Sequence, residues 1–447
     1  MKYYFIRTYG CQMNALDSEV MAGILERRGL VPCSDETQAD LIIYNTCSVR
    51  DLAERKALGK LGRLSRSFKK RRPIIGITGC MAASKKEALF SKTDFLDFVL
   101  GTNNIHDLDT ILDQLSTQNR LTKVDPLFHQ ELDYSLAKRQ DPFKALVSIS
   151  RGCNNFCTYC IVPYTRGREV SRPLPDIVDE CKRLADTGYQ EITLLGQNVN
   201  SWGNDKPEWN QTFPDLLSKI ATETSIKRIR FMTSHPKDIS DDLISCFTTI
   251  PQLCPFLHFP LQSGSDTILR RMNRGYTLSQ YLEKVAKLRA TIPTIAIGTD
   301  IIVGFPGETE ADFQLTFQAM KDINFSQSFI FAYSPRKNTP AMRFNDIIPT
   351  TIKNHRIGLL LELQNFLTTA HLTTLLNTQL PVLVEEQSSK NKAFLKGRTP
   401  HFYTVVFEGH PSLIGTIQTI TINSVSNQTL IGSLNNSKAE NRFEVQI

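Results

Sequence analysis

Apolar and polar positions change their period along the 447 residues, and the changes divide the chain. Residues 3–8 read as a strand, and Leu16, Val20, Met21, Ile24 and Leu25 then recur at helical spacing. Residues 41–44 form a short apolar run, 51–64 a helical segment, 74–78 another strand and 98–100 a short fourth. Strands alternating with helices predict a parallel sheet. Residues 103–142 have no strong period and read as a connection. From 145 onward a strand–helix unit recurs, with strands over 145–150, 192–195, 229–232, 256–259, 295–302 and 328–332 and helices such as 175–186, 277–290 and 308–321. Six such units predict an incomplete relative of the eight-unit barrel, whose chemistry lies at the strand C-termini. A long helix over 351–375 precedes short alternating runs at 381–385, 393–395, 403–407, 416–422 and 430–434, the pattern of a small β-barrel. The expected fold is therefore α/β: an open parallel domain over 1–120, a connection over 121–142, a partial (β/α)6 barrel over 143–375 and an OB-like β-barrel over 376–447.

Composition narrows the class. With 41% hydrophobic and 22% charged residues the chain reads as globular, and it is too long for one core. No apolar run approaches the ~18 residues of a membrane span. The opening is interrupted by Arg7 and has no small-residue cleavage site, so it reads as a strand rather than a signal peptide. A soluble, cytoplasmic protein is expected. The net charge of +7 is a mild bias towards polyanions. The densest basic cluster, Lys69 to Arg72 with Arg63 and Arg66, reads either as a solvated helix end or as a contact to RNA phosphate. Ten cysteines matter more. Disulfides do not persist in the cytosol, so these thiols call for ligation, redox chemistry or packing.

Cys153, Cys157 and Cys160 directly follow the first barrel strand. Three thiolates at this spacing do not close a four-ligand zinc site. They suit three corners of a [4Fe–4S] cluster with one iron open, which S-adenosylmethionine (SAM) can chelate. An electron from the reduced cluster then cleaves the sulfonium and releases a 5′-deoxyadenosyl radical. Tyr159 sits where a ring can lie against adenine. The plainer reading is a redox pair or a chance cluster. Cys11, Cys47 and Cys80 each lie just past a predicted strand, the edge at which open α/β sheets place their sites. They read either as packing cysteines or as a second three-cysteine [4Fe–4S] site, with Gly10, Thr46 and Gly79 leaving room for it. Cys181 and Cys246 fall within helices, and Cys33 and Cys254 have no partners at ligand spacing.

Gln197, Asn198, Ser234, Gln262 and Gly304 also follow barrel strands. They are candidates to hold SAM or substrate, or else they satisfy nearby backbone. Arg166, Arg168 and Arg172 follow the cysteine loop and either meet nucleic-acid phosphates or pair with acids. The C-terminal barrel carries six Lys and Arg against five Glu, so charge does not mark it as an RNA binder. Phe394, Arg398, Phe402 and Tyr403 either stack on bases or belong to its core.

The segments Tyr9-Gly-Cys-Gln-Met-Asn14, Asn45-Thr-Cys-Ser-Val-Arg50, Gly79-Cys-Met81, Ile149 to Glu169 around the cysteine triplet, Leu194 to Asn200, Arg230 to Pro236, Gln262 to Ser265, Met272-Asn-Arg-Gly-Tyr276 and Gly304 to Thr309 complete the picture. With them, nearly the whole chain resembles the methylthiotransferases, radical SAM enzymes that insert sulfur at a C–H bond and methylate it. It is most similar to the type acting on isopentenylated adenosine in tRNA. The resemblance implies a C-terminal TRAM domain that grips RNA and an auxiliary cluster on Cys11, Cys47 and Cys80 whose open iron carries the sulfur. It implies hydrogen removal from C2 of N6-isopentenyladenosine beside the anticodon (position 37) and two equivalents of SAM, one as radical source and one as methyl donor. The implied partners are the tRNA anticodon stem-loop, a flavodoxin- or ferredoxin-like electron donor, and iron–sulfur assembly or sulfur-carrier proteins. Arg166, Arg168, Arg398 and Phe402 are the substrate candidates. Ala83, Lys337-Asn338 and His401-Phe402 depart from the usual pattern without touching the six cysteines. The alternatives are a methylthiotransferase for ribosomal protein S12 or threonylcarbamoyladenosine, a non-catalytic iron–sulfur RNA-binding protein, and a zinc-binding structural module.

Overall fold

A computed structural model describes residues 1–48, 54, 57–60, 62, 72–92, 95–125 and 132–435. The N-terminal strands β1 (Tyr3–Tyr9), β2 (Val31–Pro32), β3 (Leu41–Thr46), β4 (Ile74–Gly79), β5 (Phe98–Leu100) and β6 (Leu121–Lys123) form one parallel sheet in the order β2-β1-β3-β4-β5-β6. Every residue of β3 is buried, as expected for a central parallel strand covered on both faces. The helix Gln12–Arg27 buries the apolar stripe seen in the sequence against one face. The connection does more than connect. It supplies the edge strand β6, and Arg139 beyond it bridges Glu19 of the first domain (3.0 Å) and Glu180 of the second (2.6 Å), all three nearly buried. Most of the helix expected over 51–64 and most of the basic cluster lie outside the described residues. Arg72, which is described, pairs with Asp97 at 2.9 Å.

The central strands are β7 (Lys144–Ser148), β8 (Ser150–Arg151), β9 (Val170–Ser171), β10 (Glu191–Leu195), β11 (Arg228–Phe231), β12 (Phe256–His258), β13 (Ala296–Val303) and β14 (Gln327–Ala332). Two parallel three-stranded sheets, β7-β10-β11 and β12-β13-β14, meet between β11 and β12 as an open, partial barrel. The strand expected over 145–150 breaks at Ile149, after which β8 pairs antiparallel with β9. The cysteine loop is thus held between two short strands. Gly152, at the start of the loop, has φ +78°, and a Cβ there would lie 1.9 Å from the Arg168 carbonyl oxygen. Only glycine fits.

The strands β15 (Gln379–Gln387), β16 (Phe394–Arg398), β17 (Thr404–Glu408), β18 (Ile417–Ser426) and β19 (Thr429–Leu434) close a small barrel around Val382, Val384, Leu395, Val405, Phe407, Ile420 and Leu430. It packs on the end of the central barrel where the strands begin. Lys144 at the start of β7 pairs with Glu385 at 3.0 Å, and Arg228 at the start of β11 donates to the carbonyls of Arg398 (2.8 Å) and Pro381 (2.9 Å). Phe256 at the start of β12 stacks on Phe402, centroids 5.0 Å apart. The cysteine loop lies at the opposite, strand-end face. Among the described residues no helix is long and apolar enough to cross a membrane.

Candidate active site

Sheet register brings the early cysteines together. Tyr9 of β1 pairs with Thr46 of β3, and Thr46 with Gly79 of β4. The chain leaves that row through Cys11, Cys47 and Cys80, on adjacent strands that sit roughly 4.8 Å apart. Gly10 lets them approach, since a Cβ there would stand 2.4 Å from the Cβ of Cys47. Gly79, at φ +89°, would likewise clash with the Thr46 carbonyl at 2.3 Å. Cys11 is the N-cap of the helix Gln12–Arg27, and Cys80 opens the helix Cys80–Lys85. A helix N-terminus favours thiolate. A hydrogen bond with Cys47 lowers the Cys11 thiol to about 6, and the positive charge of Arg166 adds to the shift.

The second trio lies in the β8–β9 loop. Burial raises Cys153 to about 11 and Cys160 to about 12, and the neighbouring Cys157 adds to both shifts. Such thiols stay protonated until a cation displaces the proton. Among the described residues no three His, Cys, Asp or Glu side chains converge on one ion-sized point. Three thiols at each of two separate places fit the donor chemistry of a three-ligand iron–sulfur site.

Buried polar atoms left without partners mark the space a ligand would fill. Asn198 Oδ1, Ser234 Oγ and Gln262 Oε1 have no hydrogen-bond partner and follow β10, β11 and β12, around the barrel mouth. These three sequence candidates are consistent with a polar ligand. Gln197 instead accepts from the Gly152 N–H at 2.5 Å and so braces the cysteine loop. Gly304, at φ +67°, donates its N–H to Glu308 Oε2 at 2.7 Å. Tyr159 packs edge-on to Phe305, centroids 6.5 Å apart.

The substrate candidates fare differently. Arg166 is 2% exposed and donates to Asp17 (2.7 Å) and Asn14 (3.2 Å) of the first domain, so no RNA phosphate reaches it. Phe402 is not a base platform. It fills the joint between the barrels, stacked on Phe256 and flanked by the guanidinium groups of Arg398 (4.3 Å) and Arg230 (5.1 Å). Arg398 also faces Glu385 at 3.4 Å and is held in that same joint. Arg172 pairs with Glu180 at 2.8 Å. Arg168 remains exposed, lying over the Phe156 ring at 4.3 Å.

Two groups were missed in the sequence. Glu169, buried beside the loop, accepts from Ser201 Oγ at 2.5 Å, and burial raises its carboxyl to about 7. The motif Met272-Asn-Arg-Gly-Tyr276 cradles the cysteine loop: Met272 O accepts from Thr158 N (3.0 Å), Asn273 donates to Phe156 O (3.1 Å), and Arg274 Nη1 lies 3.3 Å from Cys157 Sγ. The match to family motifs pointed at this segment but carried no role for it.

Residues 3–101 match the Uncharacterized protein family UPF0004, 147–320 the Radical SAM superfamily and 374–434 the TRAM domain. A tRNA-2-methylthio-N(6)-dimethylallyladenosine synthase of Protochlamydia amoebophila is 53% identical over 97% of this chain and 96% of its own length. A protein of the same name from Dictyoglomus thermophilum is 46% identical over 97% and 99%. Among solved structures, the radical SAM methyltransferase TsrM from Kitasatospora setae, with tryptophan and a SAM analogue bound, superposes with TM-score 0.55 at 14% identity, covering 76% of this chain and 75% of its own. That likeness speaks to fold alone. Membership of the radical SAM superfamily implies a [4Fe–4S] cluster and SAM. Sequence identity above two-fifths across nearly the whole of both chains, on a three-domain frame with the cysteines at its strand ends, makes this chain a member of the tRNA-2-methylthio-N(6)-dimethylallyladenosine synthase family of radical SAM enzymes.

Proposed function

We propose that the protein is a transferase that inserts sulfur at C2 of N6-isopentenyladenosine at position 37 of tRNA and methylates it. The observation that carries this reading is the contact between the two cysteine sites. Arg166 reaches from just beyond the second trio to Asp17 and Asn14, on the helix capped by Cys11. Its charge acts on Cys11 and Cys80, and the helix Val162–Thr165 packs on the helix Cys80–Lys85. A radical generated at one site and a sulfur held at the other need such closeness.

In this reading Cys153, Cys157 and Cys160 hold the SAM cluster, and Cys11, Cys47 and Cys80 hold an auxiliary cluster. When bound, the SAM cluster and SAM supply a 5′-deoxyadenosyl radical, the oxidant that an unactivated ring C–H requires. The chain's own part is positioning. Asn198, Ser234 and Gln262 offer three unpartnered polar atoms to SAM or to the adenine edge, and Tyr159 would supply a ring for the adenine of SAM. Gln197 and Gly304 fix the backbone of the mouth. Arg168 and the 43%-exposed Tyr164 offer a charge and a ring to RNA beside the loop. A second SAM provides the methyl group. The divisions at 142 and 375 are proposed as functional ones, and the first unit extends past 120 to take in the edge strand β6 (Leu121–Lys123).

A cytoplasmic location, a flavodoxin- or ferredoxin-like reductant, and sulfur-carrier or iron–sulfur assembly partners complete the proposal. The relatives reported above carry the isopentenyl-type name, which favours that substrate over ribosomal protein S12 or threonylcarbamoyladenosine. Mass spectrometry of tRNA nucleosides from a deletion strain tests it. Loss of the methylthio group from isopentenyladenosine is expected; its persistence overturns the assignment.

A further inference from the structure

Arg274 is buried at 5% exposure, and its guanidinium is surrounded by groups that carry no formal charge. Nε donates to Tyr276 Oη (3.1 Å), Nη2 to the Pro260 carbonyl (3.1 Å) and Nη1 to Cys157 Sγ (3.3 Å). Tyr276 is itself fixed by donating to the carbonyls of Leu261 (2.9 Å) and Pro260 (3.2 Å), so the fork is held in place. Among the described residues no carboxylate lies within ion-pair distance of Arg274, whereas buried Arg151, Arg166 and Arg356 each have one. A buried cation without a counter-charge is costly, and the cost is ordinarily met by pairing. Of the three groups that accept from this guanidinium, Cys157 Sγ is the one that belongs to the cysteine trio. The cation is felt locally: its charge, after burial, helps depress the protonation of His235, which stacks edge-on to Tyr276 at 5.7 Å.

We propose that Arg274 is the electrostatic partner of the cluster bound by Cys153, Cys157 and Cys160, and that its hydrogen bond to Cys157 raises that cluster's reduction potential. The proposal rests on the reading that this trio holds the SAM cluster. Reduction adds one electron to the cluster from a low-potential one-electron donor, dithionite in the test below. The site becomes more negative by one charge and loses no ligand. A fixed cation against a ligand sulfur favours the more negative state, and hydrogen bonds to cluster sulfurs act in the same direction. Sulfonium cleavage needs that reduced state.

The test is reductive titration of the full chain followed by electron paramagnetic resonance, with Cys11, Cys47 and Cys80 replaced by Ala so that one cluster reports. Arg274→Gln should lower the reduced-to-oxidised ratio at fixed potential at least tenfold, a shift of about 59 mV for one electron. Arg274→Lys, which keeps the charge, should fall by less. A cluster in Arg274→Gln that titrates with the parent protein overturns the proposal and leaves the cluster assignment intact. Absence of any cluster signal in the parent removes the assignment, and the proposal with it. Should Arg274→Gln take up no cluster, the parent protein labelled with 15N-arginine decides. A 15N hyperfine coupling to the reduced cluster is expected, and its absence contradicts the proposal.

Discussion

Arg166, from the central barrel, donates a 2.7 Å hydrogen bond to Asp17 on the helix that Cys11 caps, and both side chains are at most 2% exposed. Asp17 also meets Arg151 at 3.3 Å. One carboxylate of the first domain is therefore clamped by two arginines that bracket the Cys153–Cys160 loop, and the clamp holds the two cysteine sites against each other.

Breaking a buried pair by removing one partner leaves a bare charge inside the protein, at a cost of about 3–5 kcal/mol. Asp17→Ala should lower the unfolding free energy by that order. Asp17→Asn combined with Arg166→Gln should cost less than the sum of the single changes. Urea unfolding of the four proteins gives the coupling directly, and additivity would refute the clamp.

Phe402 fills the joint between the two barrels. Phe402→Ala should destabilise the protein by about 1–2 kcal/mol through the stacking and packing it loses. It should leave the salt dependence of tRNA binding unchanged, because an aromatic wedge neutralises no phosphate. Denaturant melts and binding isotherms at several salt concentrations check both halves.

Arg168 is the exposed arginine of the cysteine loop, and it behaves differently. Arg168→Ala should weaken binding of an anticodon stem-loop and reduce the log–log salt slope by about one, the signature of one lost phosphate contact. An unchanged slope would place the RNA elsewhere.

The joint also carries a pH dependence. Burial, Arg230, His371 and Arg228 hold His401 down at about 4, against an ordinary 6.5. The unfolded chain takes up that proton near 6.5 while the folded chain refuses it until about 4. Unfolding therefore gains a proton as pH falls, and stability is lost between those values and levels off below them. Thermal melts of the metal-free protein across this window should show a shallower loss for His401→Asn than for the parent.

What the sequence made legible follows from what its patterns encode. Strand periodicity located the ends of β1, β3 and β4, and with them the meeting of Cys11, Cys47 and Cys80, because parallel register turns neighbouring strand ends into neighbouring residues. The x3 and x2 spacing of the later trio is local and needs no fold to be read. Arg274 was not legible. It lies 117 residues from Cys157, and nothing in a helix-to-loop arginine reveals which sulfur it meets. Arg166 and Phe402 each stayed between two readings for a related reason. A basic or aromatic residue near a functional loop has the same local sequence whether it faces RNA or a neighbouring domain, and only tertiary packing decides.

The most direct test of the account separates the roles of the two trios. Wild type, Cys11→Ala and Cys153→Ala, reconstituted without oxygen, are given SAM, reductant and an isopentenylated anticodon stem-loop, and both 5′-deoxyadenosine and the methylthiolated base are measured. Wild type should form both products, Cys11→Ala only 5′-deoxyadenosine, and Cys153→Ala neither. Methylthiolated base from Cys11→Ala, or 5′-deoxyadenosine from Cys153→Ala, would contradict it.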